Sequence, residues 1–218
     1  MESKKMNTIE LFCGTKSFSK VAAGKGYSTF TIDNEKRFDP TMIADINKLN
    51  VAQFRRDYFN ILWASPPCDT FSTASISTHW TGGFREYIPK TEKCIKALEL
   101  IDKTIRIIKE LNPKKWYIEN PRGVLRKVID DAFMLHRITD YRRVTVTYCQ
   151  YGDNRMKPTD IWTNDFTWKP RKMCKNGDKC HVAAPRGSKT GTQGLKNKIE
   201  RGIVPKELIE EILKEVKK

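Results

Sequence analysis

No apolar run in these 218 residues approaches the ~18 needed to span a membrane, and the opening Met1-Glu2-Ser3-Lys4-Lys5 leads into a strand pattern without a secretory-signal core. An intracellular, cytoplasmic protein with no membrane partner is the expectation. No acidic or basic block is long enough to mark a disordered tail, and no internal repeat or low-complexity tract occurs. There is also no GxGxxG and no phosphate loop with its lysine, which disfavours a nucleoside triphosphate as ligand. Negative charge is scarce: 26 Asp+Glu face 41 Lys+Arg, a formal net charge of +15. That balance predicts an anionic partner, nucleic acid first, although a basic surface can also serve solubility alone.

The length suits one well-buried domain with a small appendage. Six cysteines are present, Cys13, Cys68, Cys94, Cys149, Cys174 and Cys180. In a reducing compartment they are thiols, to be read as packing, catalysis or metal ligation.

Short apolar runs alternate with helical patterns through the first two thirds of the chain. This predicts a doubly wound α/β domain with a mostly parallel sheet. Candidate strands lie at 8–12, 28–32, 58–64, 116–119, 143–148 and 160–163. The clearest helix follows Thr91, with Cys94, Leu98, Ile101, Ile105 and Ile108 three or four apart and Pro113 beyond its end. Over 168–194 Lys, Arg, Gly, Cys and Thr replace large apolar residues, which reads as an irregular insertion. Pro205 then starts a helix with an Ile209, Ile212, Leu213, Val216 stripe. The expected division is an α/β domain over 1–165, a small basic insertion containing Cys and His over 166–198, and a C-terminal helix over 199–218 that packs back.

Three constellations carry chemistry. Phe12-Cys13-Gly14-Thr15 forms a glycine turn after the first strand, and Asp33-Asn34 ends the second strand at the offset where an acidic side chain accepts from a ribose. Asp45-Ile46 offers a carboxylate and an apolar neighbour for an adenine amino group and ring face, or Asp45 is an ordinary cap. Pro66-Pro67-Cys68 aims a thiol from a rigid backbone at a strand end, though a free cysteine is also commonly a small buried hydrophobe. Glu119-Asn120 ends another strand, and a carboxylate in an apolar run suits a proton-donating role.

Together, Phe12-Cys13-Gly14, Pro66-Pro67-Cys68, Glu119-Asn120 and the later Tyr151-Gly152 resemble, in order and spacing, the DNA cytosine methyltransferases acting on ring carbon 5. The likeness runs over 8–161 and more loosely over 201–213, and it is to short members of the bacteriophage-encoded kind. It implies the Rossmann-like fold of S-adenosylmethionine-dependent methyltransferases, with S-adenosyl-L-methionine as cofactor and double-stranded DNA as partner. Cys68 would be the nucleophile adding to cytosine carbon 6, Glu119 the group on ring nitrogen 3, and Asn120 would hold the loop. Phe12 to Thr15, Asp33, Asn34, Asp45, Ile46 and Pro66 would line the cofactor site. The target base must be flipped out of the helix. Residues 72–90 resemble the family's mobile loop, with flexibility from Gly82-Gly83 and DNA contacts from Ser72, Trp80 and Arg85, while His79 is read as a polar loop residue.

The chain departs from the family pattern at several points. Asp69 stands where glutamine is common and Pro121 where valine is usual. The Gln-x-Arg-x-Arg run is not reproduced: Arg155 falls at the glutamine, Lys157 and Thr159 at the arginines. Either Arg155 or Lys157 would polarise the cytosine carbonyl. A large recognition domain is missing. In its place, Cys174, Cys180 and His181 could hold zinc with Cys149 as a fourth ligand, but the spacing is no standard knuckle. No metal is therefore assigned, and a basic loop setting Lys179, Arg186 and Lys189 on phosphates is the favoured reading. The same chemistry on RNA or a free cytosine nucleotide, and a non-catalytic DNA-binding module, are the alternatives.

Overall fold

The computed structural model describes residues 5–82, 86–175, 177–184, 195 and 197–215. The chain begins with β1 (Asn7–Leu11), α1 (Ser17–Gly24), β2 (Ser28–Asp33), β3 (Met42–Ile43) and β4 (Ile61–Ala64). A short helix α2 (Ile76–His79) and a ribbon of β5 (Trp80–Thr81) with β6 (Ile88–Pro89) lead into α3 (Glu92–Leu111). Then come β7 (Lys115–Pro121), α4 (Leu125–Leu135), β8 (Arg142–Thr147), β9 (Pro158–Thr163), α5 (Lys198–Gly202) and α6 (Lys206–Glu215). Seven strands form one sheet in the order β3-β2-β1-β4-β7-β9-β8. Its first five strands are parallel, and β9 runs antiparallel to both β7 and β8.

Alternation along the strands builds two cores. In β4, Ile61 and Trp63 face α1 and α6, where they meet Phe18, Ala22, Leu208, Ile209, Ile212 and Leu213. Leu62 and Ala64 point the other way, to Ile101, Ile105 and Ile108 of α3 and to Leu125, Ile129 and Phe133 of α4. Each such side chain contributes about 1.5–3 kcal/mol of gross stabilisation when fully buried. Both faces of the sheet are therefore covered, as the doubly wound architecture requires.

Local chemistry sets the helix ends. Thr91 Oγ1 accepts from the Cys94 amide, and Asn112, at φ 50°, turns the chain out of α3 just before Pro113. By contrast α4 has no capping side chain at Val124 to mark its start, and the sequence reading leaves it unassigned.

Several expected boundaries move. Phe12 lies outside β1 because its φ is 56°, and β4 starts at Ile61 after a turn in which Asp57 has φ 62°. Trp168, expected in the insertion, is fully buried beside α6 and donates from Nε1 to Glu211 Oε1 at 3.1 Å. The packed domain therefore extends past residue 165.

Candidate active site

Strand order decides where a site can form. From β1 the chain goes to β2 on one side, whereas β4 flanks β1 on the other, so the order reverses between β1 and β4. Ligands of open α/β sheets sit outside the carboxyl ends of the strands at such a point. Leu11, Ala64 and Ile118 lie in register across three strands. The residues that follow them, from Phe12, Ser65 and Glu119, therefore share that edge. Because β9 is antiparallel, its start is there too, which brings Lys157 to the same edge.

On the β1–β2 side, Phe12, Gly14 and Lys16 have φ of 56°, 45° and 59°. Two of these are non-glycine residues in the left-handed region, a cost that marks a functional turn. Asp33 organises the turn: Oδ2 accepts from the Gly14 amide at 2.9 Å and Oδ1 from the Glu35 amide at 2.9 Å. A carboxylate has about four acceptor positions, so two remain for ligand hydroxyls. Cys13 is buried, and its thiol is pushed up to about 12, first by burial and then by Glu10 and Asp33, so it stays protonated. Thr15 pairs with Ser17 through their hydroxyls at 3.0 Å, and Asn34 is exposed beside Asp33. Asp45 caps the next turn, accepting from the Asn47 amide at 3.0 Å. Ile46 is only 3% exposed and packs into the α3-side core rather than standing open for a ring. Glu10, which the sequence reading passed over, is buried and accepts from the Phe18 and Ser19 amides, tying the N-terminus of α1 to β1.

The thiol loop is held by backbone and by one amide. Ser65 donates to the Leu11 carbonyl at 3.3 Å, and Phe71 to the Cys68 carbonyl at 3.1 Å. Asn120 Nδ2 donates to the carbonyl of Pro66 at 3.0 Å, which fastens the loop to β7. Gly123 brings the next turn against it: a side chain there would place Cβ 2.1 Å from the Phe71 carbonyl oxygen. Cys68 is half-buried, its thiol raised by burial, lowered in part by Lys157 and raised again by Glu119 and Asp69. Asp69 takes the Nζ groups of Lys93 and Lys198 at 3.2 and 3.1 Å. Burial pushes its carboxyl up, but Lys198 and Lys93 outweigh that and hold it below the ordinary range.

Opposite the thiol stands Glu119, whose Oε1 accepts from the Tyr148 hydroxyl at 2.8 Å. Full burial raises the phenol far above its ordinary value, with Glu119 adding to it, so Tyr148 remains a donor. The sequence reading missed Tyr148. Its only signal is its place beyond Val144 and Val146, and that alternation speaks of packing rather than chemistry. Lys157 Nζ lies 4.7 Å from the centre of the Tyr148 ring and donates to the Arg201 carbonyl at 2.8 Å. Its ammonium is lowered by burial, against the opposing pull of Glu119 and Cys68.

Arg155 is a correction. At 4% exposure it donates to Asp153 and to the carbonyls of Glu200, Arg201 and Ile203. A guanidinium has five N–H donors, and these contacts engage Nε and both terminal nitrogens. Arg155 thus fastens the segment before α6 to the β8–β9 turn and has nothing left for a base. Thr159 donates to the Lys157 carbonyl at 3.1 Å.

Trp80 is a second correction. It is 4% exposed, donates to the Thr70 carbonyl at 2.7 Å and packs between Phe71 and Tyr87, so it belongs to the core rather than to a DNA contact. Gly82 serves a tight turn rather than flexibility: its φ is 86°, and a Cβ there would meet the Glu86 carbonyl at 2.2 Å. Ser72 caps a turn through the Ala74 amide at 3.3 Å, and Lys179 is exposed. Arg85, Arg186 and Lys189, together with Gly83 and Val216, lie outside the described residues. Cys149, in the turn between β8 and β9, comes together with Cys174, Cys180 and His181.

Comparison with known proteins identifies the family. Residues 6–134 match the family of C-5 cytosine-specific DNA methylases. A protein of Frog virus 3 (isolate Goorha), named "Probable DNA (cytosine-5)-methyltransferase", is 31% identical over 228 residues, covering 94% of this chain and 98% of that protein. Among solved structures, Entamoeba histolytica methyltransferase EhMeth superposes with a TM-score of 0.50 at 17% identity, over 74% of this chain and 53% of that one. Schizosaccharomyces pombe Dnmt2 methyltransferase gives 0.51 at 14% identity, over 77% and 52%. The match spans about half the length of each solved chain.

Proposed function

The chain belongs to the C-5 cytosine-specific DNA methylase family, enzymes that transfer a methyl group from S-adenosylmethionine to carbon 5 of cytosine in DNA, and from that premise we propose that Cys68 is its nucleophile. The observation that carries this reading is the shared edge itself: Cys68 follows the end of β4, Glu119 stands near the end of β7 and Lys157 immediately precedes β9, so the strand register delivers a thiol, a carboxyl group and an ammonium to one end of the sheet.

Asp33 and the Gly14 turn fit the cofactor. The carboxylate is fixed by two amides and keeps acceptor positions toward the crevice, the chemistry that holds ribose hydroxyls. We assign Phe12 to Thr15, Asp33, Asn34, Asp45 and Pro66 to that site, with Ile46 supporting it from below. S-adenosylmethionine, when bound there, supplies an electrophilic methyl group.

The residues of the chain do the rest. The Cys68 thiolate adds to carbon 6 of a flipped cytosine, and the ring's electron pair moves to carbon 5. Glu119, with Oε1 taken by Tyr148, carries a proton on its other oxygen and donates it to ring nitrogen 3, which neutralises the negative charge that the addition places on the ring. Lys157, with one N–H on Arg201 and two left, stabilises the thiolate and donates to the cytosine carbonyl. After methylation a base or water takes the carbon 5 proton, Glu119 recovers the proton from nitrogen 3, and the bond from sulfur to carbon 6 breaks to restore the thiolate. Double-stranded DNA is the proposed form of substrate, drawn by the net charge of +15.

The test uses the full chain. With labelled S-adenosylmethionine and duplex DNA, Cys68→Ser should lose methyl transfer by on the order of 10³-fold or more while cofactor binding persists. A duplex carrying 5-fluorocytosine should trap wild type as a denaturant-stable adduct. Full activity in Cys68→Ser, or tight DNA and cofactor binding with no adduct, would overturn the assignment, and preference for RNA in competition would overturn the substrate.

A further inference from the structure

The family's chemistry leaves one group of reactive side chains without a task. Cys149, Cys174, Cys180 and His181 each point one ligand atom at a common centre, and those four atoms lie within 4.8 Å of one another. Cys149 Sγ is 3.1 Å from Cys174 Sγ and 3.6 Å from Cys180 Sγ. His181 Nδ1 is 3.8 Å from Cys174 Sγ and 3.6 Å from Cys180 Sγ. A tetrahedral zinc with bonds of ~2.3 Å to sulfur and ~2.0–2.1 Å to nitrogen has edges of ~3.8 Å between sulfurs and ~3.6 Å from sulfur to nitrogen. The two sulfur–sulfur edges lie below that value and the two sulfur–nitrogen edges at or just above theirs, so small side-chain rotations bring the four atoms onto a tetrahedron. We propose that these four residues form a closed Cys₃His site for one structural zinc ion, which staples the basic insertion to the turn after β8.

The surroundings suit such an ion. Gln150 Nε2 points to Cys180 Sγ at 3.3 Å, and the Thr147 hydroxyl accepts from the Cys174 amide at 3.0 Å, so partners from the β8 end orient the ligands. Cys149 and Cys174 are 8% and 6% exposed, which closes the site on its inner side. Between the two halves Gly177 turns the chain at φ 92°. Four protein ligands leave no open position, so the ion is structural rather than catalytic.

Its effect follows from what the insertion lacks. Residues 172–182 offer few large apolar side chains, and Val182 stands 61% exposed, so apolar burial cannot order them. A metal supplies that order in small polar segments. On one side of the site the Val182 amide donates to the Asn154 carbonyl at 2.9 Å, one residue before Arg155. On the other, Cys149 directly follows the phenol that binds Glu119. The zinc therefore secures both flanks of the substrate-facing turn without touching the base.

The test is metal content of the full-length protein purified under reducing conditions. One equivalent of zinc per chain is expected, replaced on refolding with cobalt by the strong ligand-field and thiolate charge-transfer bands of a tetrahedral site. A chelator should raise the thiols reactive to a disulfide reagent by three and lower the Tm of wild type. Cys180→Ser and His181→Asn, both at the outer side and tolerant of change, should hold less than half an equivalent and lose the chelator's effect on Tm. Absence of bound metal with no cobalt bands, unchanged zinc in both variants, or a Cys149–Cys174 disulfide seen by mass under those reducing conditions would each overturn the proposal.

Discussion

Two of the loops at the active edge deliver Cys68 and Lys157, and they are held by different forces. The thiol loop from Ser65 to Phe71 rests on the sheet: backbone bonds to Leu11, the Asn120 amide on Pro66 and the close approach of Gly123 place Cys68. The turn carrying Lys157 is placed by charge and by a distant segment. Arg155 grips Asp153 and three carbonyls from 200–203, Lys157 itself binds the Arg201 carbonyl, and Lys198 reaches across to Asp69. The Cys68 thiol is thus built into the fold, whereas the cation near it depends on contacts from the C-terminal segment.

Removing the grip should cost most. Arg155→Leu leaves the Asp153 carboxylate and three inward carbonyls without their donor, and breaking a buried pair from one side costs about 3–5 kcal/mol. Chemical denaturation should show that loss, with Arg155→Lys recovering part of it because an ammonium brings three donors. Methyl transfer by Arg155→Leu should fall as well, since Lys157 loses its anchor. A variant as stable as wild type would mean that the ionic lock is not what positions this turn.

The thiol loop should be less sensitive. Asn120→Ala removes one hydrogen bond and strands the Pro66 carbonyl, a loss of about 1–3 kcal/mol. Its larger signature should be kinetic, a drop in kcat with little change in cofactor binding, because the loop's aim rather than its fold is altered. If Asn120→Ala proves as destabilising as Arg155→Leu, the contrast between the two loops fails.

The same contrast explains what the sequence discloses. Period-2 runs and the 3.6-residue stripe from Cys94 to Ile108 report burial in a sheet and a helix, and Pro66-Pro67-Cys68 and Glu119-Asn120 sit where those elements end. Such features are local, and they are readable. Arg155 is not, because its partners at 200–203 lie some forty-five residues away and nothing in 151–159 announces them. Trp80 misled for a related reason: a tryptophan between polar residues looks like a surface contact until Phe71 and Tyr87 are seen around it. Glycines 82 and 123 carry the same lesson, since a close approach of two backbones has no signature in either stretch alone.

The smallest effect is the most direct probe of how the two loops meet. Burial pushes the Cys68 thiol up, and the Lys157 ammonium offsets part of that. The acid limb of the rate against pH should therefore lie above the ordinary thiol range, with activity rising as pH rises and thiolate accumulates. Lys157→Met removes the offsetting charge, so the limb should move further up, by about one pH unit for a single close cation. Below the limb, each unit is roughly a tenfold loss in rate, whereas well above it both proteins carry the thiolate and their rates should converge on any residual deficit from the lost carbonyl contact. At high pH the wild-type advantage shrinks further, because burial also lowers the Lys157 ammonium and the cation begins to neutralise. A deficit in Lys157→Met that stays constant across the pH range would show that the lysine serves the base alone and that the thiol loop sets the reactivity of Cys68 unaided.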